Sequence, residues 1–420
     1  MNSTIIRLIQ NCAVIAAVVG VATGAAAQSA TANEAPAFEL KDGDRVVLLG
    51  STFVERSQQH GHFEAALASR YPGRHVQFRN LGWSGDNVFG ESRAGFGPVE
   101  EGFKHLKDHV LSLKPTVILL GYGGNEAFAG KAGLENFLTG LETLLKVLNE
   151  TGARIVFMTP PPQEDLGRPL PDPKQHNQDL KLYRDAIIKV AGQRGNQVLD
   201  LYEVLDPKRL AAGAPVTDNG IHLTEFGYWL AAPHMERGLG LADREWQIAI
   251  EPKQGNISAR GTQVSQARFS PETIQFVALD ALLPHPPAPD DAPQERPAVD
   301  RRTLRVFDLA PGGYVLKIDG QQVASADASG WARGVEIAAG PEFQQAEKLR
   351  REIVAKNELY FHRWRPQNIT YLTGFRKHEQ GNNAVEIPQF DPLVEARENE
   401  IRTLSQPVPH TYQLVREASE

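Results

Sequence analysis

A three-layer α/β fold with a parallel sheet is what this sequence predicts for its first 240 or so residues, followed by a β-rich segment and a helical tail. Three observations carry that prediction. Short apolar runs recur at intervals and end in glycine, proline or polar clusters; amphipathic stretches at helical spacing fill the gaps between them; and from about residue 245 the apolar pattern changes to period two.

The first apolar run, Arg45-Val-Val-Leu-Leu-Gly50, leads into a helical stretch from Phe53 to Arg70. His75-Val-Gln-Phe-Arg-Asn80 leads into Leu81-Gly-Trp-Ser-Gly85, and Thr116-Val-Ile-Leu-Leu120 into Gly121-Tyr-Gly-Gly-Asn125. Arg154-Ile-Val-Phe-Met158 stops before Pro160-Pro161-Pro162, and Gln197-Val-Leu-Asp-Leu201 supplies a fifth strand. Leu134 to Leu148 and Gln178 to Gly192 read as helices. Buried strands alternating with helices imply a parallel sheet covered on both faces, with functional residues on the loops beyond the strands' carboxyl ends.

Glu272 to Leu279 and Gly313 to Gly320 alternate as half-buried antiparallel strands do, and the proline-rich Leu283 to Pro293 between them reads as an exposed, extended loop. Residues 341 to 364 read as one amphipathic helix. The expected organisation is therefore an α/β domain over 40–243, a small β-rich domain over 244–340 and a helical extension over 341–420.

Residues 1–27 read as a signal peptide: Arg7 precedes the apolar run Cys12 to Ala22, and Ala25-Ala26-Ala27 offers a cleavage site. The run is shorter than the ~20 residues a membrane span needs, so the mature chain is expected to be secreted or periplasmic with no span. The single cysteine, Cys12, lies in that segment, which excludes disulfides and thiol chemistry from the mature chain. With 41% hydrophobic and 23% charged residues and a net charge of -7, the composition gives no electrostatic case for nucleic-acid binding. The sequence leaves the oligomeric state open.

Four clusters fall at the expected strand ends: Gly50-Ser51-Thr52, Asn80-Leu-Gly82-Trp-Ser-Gly85, Gly121-Tyr-Gly-Gly-Asn125-Glu126 and Asp218-Asn219-Gly-Ile-His222. Each alone has a bland reading. Ser51 or Thr52 could cap the following helix, Asn125 could sit in a glycine turn, and Asp218-Asn219-Gly220 is a good turn sequence. Together, in this order, they resemble the four motif blocks of the SGNH (GDSL-like) hydrolases, over roughly residues 43 to 240.

The resemblance implies a flavodoxin-like three-layer α/β/α domain and hydrolysis of a carboxylic ester, with deacetylation of an extracellular carbohydrate as the case that family and export together suggest. It implies a small-molecule or carbohydrate ester as partner and no cofactor. Gly82 and Asn125 match the oxyanion donors and His222 the general base, in keeping with acyl transfer, which needs a deprotonated hydroxyl and preorganised donors. Two positions depart from the family. Thr52 stands where the nucleophilic serine is usual, and Asn219 stands where an aspartate orients the histidine, with Asp218 one residue further away. Three readings stay open: Thr52 attacks with Asp218 or another carboxylate orienting His222; a one-residue shift presents Ser51 and Asp218; or the site binds without hydrolysing.

Glu55 and Glu126 are candidate substitute carboxylates. Trp83, Glu126, Trp364 and Asn368 are candidate substrate contacts, since the aromatic and amide-rich stretch from Asn357 to Asn383 suits sugar recognition. His60-Gly-His62 lacks a third ligand for a metal site. Gly121-Tyr-Gly-Gly lacks the spacing of a dinucleotide loop.

Overall fold

Strand β1 (Arg45–Gly50) occupies the interior of a parallel sheet because its residues are apolar on both faces: Val46 and Leu48 enter one core layer, Val47 and Leu49 the other. A computed structural model describes residues 38–417 except 96, 211–212, 291, 294–298, 367–371, 373–375, 377 and 380–382. The predicted signal peptide and Asn368 lie outside the described residues. With β2 (Gln77–Asn80), β3 (Val117–Gly121), β4 (Arg154–Met158) and β5 (Gln197–Leu199), β1 forms a five-stranded sheet in the order β2-β1-β3-β4-β5, parallel throughout. This is the doubly wound order expected of a flavodoxin-like sheet.

Helices α1 (Thr52–His60), α2 (His62–Arg70) and α8 (Glu225–Gly238) cover one face. Helices α3 (Val99–Ser112), α4 (Gly130–Asn149) and α5 (Lys174–Arg194) cover the other. Between α5 and α8 come the single-turn helices α6 (Leu201–Val204) and α7 (Pro207–Leu210). The single helix expected over Phe53 to Arg70 is two, because Gly61 takes a left-handed conformation, φ 69°, and ends α1.

Beyond residue 245 two further sheets stack. One has the order β13-β10-β6-β7 and is built from β6 (Trp246–Glu251), β7 (Asn256–Arg260), β10 (Arg302–Val306) and β13 (Val335–Glu336). The other has the order β12-β11-β14-β9-β8, from β8 (Thr262–Phe269), β9 (Thr273–Asp280), β11 (Gly313–Ile318), β12 (Gln321–Asp327) and β14 (His410–Arg416). The short helix α9 (Ala328–Arg333) follows β12. Trp246, Ile248 and Leu304 from the first sheet pack with Phe276, Leu316 and Tyr412 from the second. Of the two strands expected from alternation, β9 and β11 fall where the pattern placed them, whereas β6 and β10 pair in parallel.

Two expectations need correcting. Leu283 to Pro286 is buried, not exposed, because Trp229 Nε1 donates to the Pro286 carbonyl at 2.9 Å and His285 enters an ion cluster. The tail is not helical to its end: helices α10 (Pro341–Trp364) and α11 (Phe390–Leu404) are followed by β14, which lies between β9 and β11. The alternation from His410 to Leu414, with every second residue buried, is the strand signal that the sequence reading passed over.

Buried ion pairs seat the tail on the α/β unit. Lys356 donates to Glu64 at 2.6 Å, with Asn357 on the other carboxylate oxygen at 3.0 Å, and Arg79 pairs with Glu398. Burial holds the Lys356 ammonium below its usual range even beside Glu64. Among the described residues no helix is long and apolar enough to cross a membrane.

Candidate active site

At the carboxyl ends of β1, β3 and β4, Ser51, Thr52, Arg56, Asn125, Pro160 to Gln163 and His222 line one cavity of about 170 Å³. The turn after β1 is forced by contact: a Cβ on Gly50 would lie 2.4 Å from the Gly121 carbonyl oxygen, so only glycine lets the first and third loops approach. Ser51 sits at the N-cap of α1 without a side-chain cap bond. Capping therefore does not account for its hydroxyl.

Thr52 Oγ1 accepts the Gly85 amide at 3.2 Å. Gly85 has φ 75°, which turns that amide toward the first loop. Gly82, expected to serve as the oxyanion donor, instead gives its amide to Asn80 Oδ1 at 2.8 Å, and a Cβ there would meet the Glu55 backbone nitrogen at 2.2 Å. The reason is the path of the loop: Gly82 marks its closest approach to α1, and only three residues later does an amide face the hydroxyl. A glycine three residues downstream in the same block was the available signal.

A buried cluster braces this loop. Arg93 Nε pairs with Asp86 Oδ2 at 2.7 Å, Tyr122 donates to the same oxygen at 2.8 Å, and Arg93 also reaches the Leu81 carbonyl at 2.8 Å. Asn125 Nδ2 donates to the Asp86 carbonyl at 2.6 Å, which ties the third block to the second and leaves the second amide hydrogen for a ligand. Glu126, a candidate for substrate contact or catalysis, accepts the amides of Val88 and Gly123, each at 2.9 Å, and burial raises its pKa. It fastens two loops together. Glu55 is held by Arg365 at 3.0 Å and by the Ser84 amide.

His222 lies in a turn closed by the Thr217–Leu223 bridge. Gly220 there has φ 84°, and a Cβ would lie 2.8 Å from the Glu164 carbonyl oxygen. The Glu164 carboxylate accepts the amides of Val216 and Thr217 and the Thr217 hydroxyl, with the shortest bond at 2.5 Å. Glu164 thus positions the histidine turn. No local pattern marks this role, because Glu164 lies some fifty residues upstream of the turn.

Asn219 Oδ1 receives the amides of Ile221 at 3.1 Å and His222 at 3.0 Å, so its amino group must face the imidazole, with Nδ2 3.0 Å from Nδ1. Nδ1 is then an acceptor, and the neutral ring carries its proton on Nε2. Asp218 Oδ1 lies 3.9 Å from Nδ1, while its other oxygen pairs with Arg56 at 3.0 Å. The His222 pKa is lowered, chiefly by burial and then by Arg56, against the opposing pull of Asp218. Among the described residues neither Ser51 nor Thr52 is hydrogen-bonded to His222.

Trp83 and Trp364, expected as substrate contacts, meet edge to face at 5.8 Å, with the Arg365 guanidinium 3.6 Å over Trp83. They join α10 to the second block, outside the cavity that holds His222. His60 stacks on Tyr228, and His62 is buried near Glu225.

Residues 49–230 match the family model of the GDSL-like lipase/acylhydrolases. No curated protein matches the chain. Among solved structures, a gut microbial diltiazem-metabolizing enzyme shares the fold over 90% of this chain and 99% of its own, at 17% identity and a TM-score of 0.71. An acetylxylan esterase from Geobacillus stearothermophilus, at 17% identity and a TM-score of 0.37, aligns with 49% of this chain and 98% of its own.

Proposed function

Residues 49–230 form a GDSL-like lipase/acylhydrolase domain, and on that premise we propose that the protein hydrolyses carboxylic esters, with acetylated carbohydrates or similar small acetyl esters as substrates. The observation that carries this reading is the cavity that gathers Ser51, Thr52, Asn125 and His222, with the Gly85 amide aimed at Thr52. Thr52 attacks the ester carbonyl. Gly85 and Asn125 donate to the oxyanion, and His222 takes the hydroxyl proton and returns it to the leaving alcohol; a water deprotonated by the same histidine then attacks the acyl-Thr52 ester, releasing the carboxylic acid and restoring the hydroxyl. The ring needs a free lone pair for that step. Asp218 must therefore displace the Asn219 amino group at Nδ1, a movement of about 1 Å from its present 3.9 Å, so that the proton shifts to Nδ1.

We assign residues 1–27 as an export signal; the mass of the mature protein, starting at Gln28, tests that assignment. A second reading, a site that binds without turnover, draws its support from the Asn219–His222 bond. Hydrolysis of p-nitrophenyl acetate and acetylated xylo-oligosaccharides separates the two. Turnover that falls by roughly 10²-fold or more in Asn125→Ala, and collapses in His222→Ala and Thr52→Ala, supports the esterase. Rates equal to those of His222→Ala on every ester support the binding module.

A further inference from the structure

The Gly85 amide belongs to a peptide that can turn over. Trp83 to Asp86 form a β-turn, closed by the Asp86 amide on the Trp83 carbonyl at 3.0 Å. Gly85, at its third position, has φ 75°, and Ser84 before it does not have a positive φ, which makes the turn type II. Types I and II differ by inversion of the central peptide, which here carries the Gly85 N–H. In type II that N–H faces Thr52; in type I it would face away. Packing does not choose between them. Ser84 and Gly85 are exposed, and a Cβ on Gly85 would meet only Ser92 Oγ, at 3.4 Å.

The turn is held instead by charged groups around it. Arg93 fixes its last residue through Asp86, at 2.7 Å. Glu55, three residues after Thr52 on α1, accepts the Ser84 amide. Arg365 Nη1 donates to the other Glu55 oxygen at 3.0 Å while its guanidinium lies 3.6 Å over the Trp83 ring. A planar guanidinium can stack on an indole and donate in its own plane at once, which an ammonium cannot do. Arg365 is the first residue past α10 and leaves the helical conformation, φ -127° and ψ 61°, because Pro366 follows it. Among the described residues it is the only ion-pair partner of Glu55, whose side chain is 15% exposed. Without it that carboxylate turns to water and releases Ser84.

We propose that Arg365 is a positioning residue for the ester-cleaving site: through Glu55 and Trp83, the C-terminal tail holds the Ser84–Gly85 peptide in the orientation that donates to Thr52 and to the oxyanion. The kinetic consequence rests on ester hydrolysis at Thr52; the geometric one does not.

The test uses the whole chain with Arg365→Met, Arg365→Lys and Glu55→Gln, and with Glu398→Gln, which loosens the tail at its separate pairing with Arg79. Arg365→Met should lower kcat for p-nitrophenyl acetate by about 10- to 100-fold, approaching the loss of an oxyanion donor, with KM within about threefold of the wild type. The acid limb of the pH-rate profile, set by His222, should not move. Arg365→Lys should recover part of the rate, and Glu55→Gln combined with Arg365→Met should lose no more than the worse single variant. Amide exchange at Ser84 and Gly85, read at residue resolution by mass spectrometry, should quicken at least about tenfold in Arg365→Met and Glu55→Gln and stay unchanged in Glu398→Gln. If Arg365→Met does not fold, Arg365→Lys and Glu55→Gln carry the same comparison. Wild-type exchange in the clamp variants, an undiminished kcat in them, or an equal kcat loss in Glu398→Gln overturns the proposal. Should the wild type cleave no ester, the esterase reading fails and the exchange rates alone decide whether Arg365 holds the turn.

Discussion

Asn219 sets the chemical state of the site. Its side chain, fixed by two backbone amides, presents a donor to the imidazole where a carboxylate would present an acceptor. In hydrolytic triads the corresponding Asp-to-Asn change costs about 10⁴ in kcat through the wrong tautomer. Asn219→Asp should therefore raise kcat by on the order of 10² or more, with little change in KM. Thr52→Ser should raise it as well, by removing the methyl that crowds the attacking oxygen. Unchanged rates in both variants would mean that neither residue takes part. The lowered His222 pKa predicts that the acid limb of kcat/KM lies below pH 6.5, since a base must be unprotonated. Arg56→Gln removes one of the lowering charges and should move that limb upward, as a pH-rate profile would register.

At the scale of elements, the histidine turn depends on Glu164. Glu164→Gln keeps the size but weakens its charge-assisted bonds, and a loss of roughly 1–3 kcal/mol is expected in thermal unfolding, together with a fall in kcat larger than any change in KM. A second junction is sensitive to pH. His285 is buried between Asp300, at 2.9 Å, and Glu236, at 2.8 Å, with Arg244 on the far side of Glu236. Burial opposes its protonation, yet the two carboxylates prevail and raise its pKa, while Glu236 and Asp300 are each lowered to about 2 despite their own burial. The histidine's contribution is complete below 6.5 and fades as pH rises through its raised value; the carboxylates' contribution is complete above about 4.5 and fades as pH falls toward 2. The Tm penalty of His285→Gln should thus be greatest between these limits and shrink in alkali. A penalty independent of pH would assign His285 to packing alone.

For the molecule as a whole, apolar runs and their glycine punctuation made the five parallel strands legible, and the four motif blocks marked three walls of the small cavity. What stayed hidden was non-local. Gly85 rather than Gly82 meets Thr52 because of the loop's path past α1, and Glu164 acts from another strand's loop. Trp364 was legible as an unusual residue but not as a bridge from the second block to α3, since the turn of α10 against α3 decides which way it faces. β14 was hidden by length, being a single strand after two helices. Its position has a cost: removing residues 405–420 takes away the strand between β9 and β11, and the β-rich layers should lose cooperative unfolding while far-ultraviolet signal from the α/β unit persists. Retention of a single sharp transition would contradict this.

That placement also orders the molecule's assembly in time. During vectorial synthesis β9 and β11 are made long before the segment that joins them, so the nascent sheet waits with two open backbone edges facing one another. Any sticky strand nearby can enter that slot first. The α/β unit needs nothing from β14 and can be complete by then, which makes the late β-layer the stage at which a chaperone would have to hold the chain.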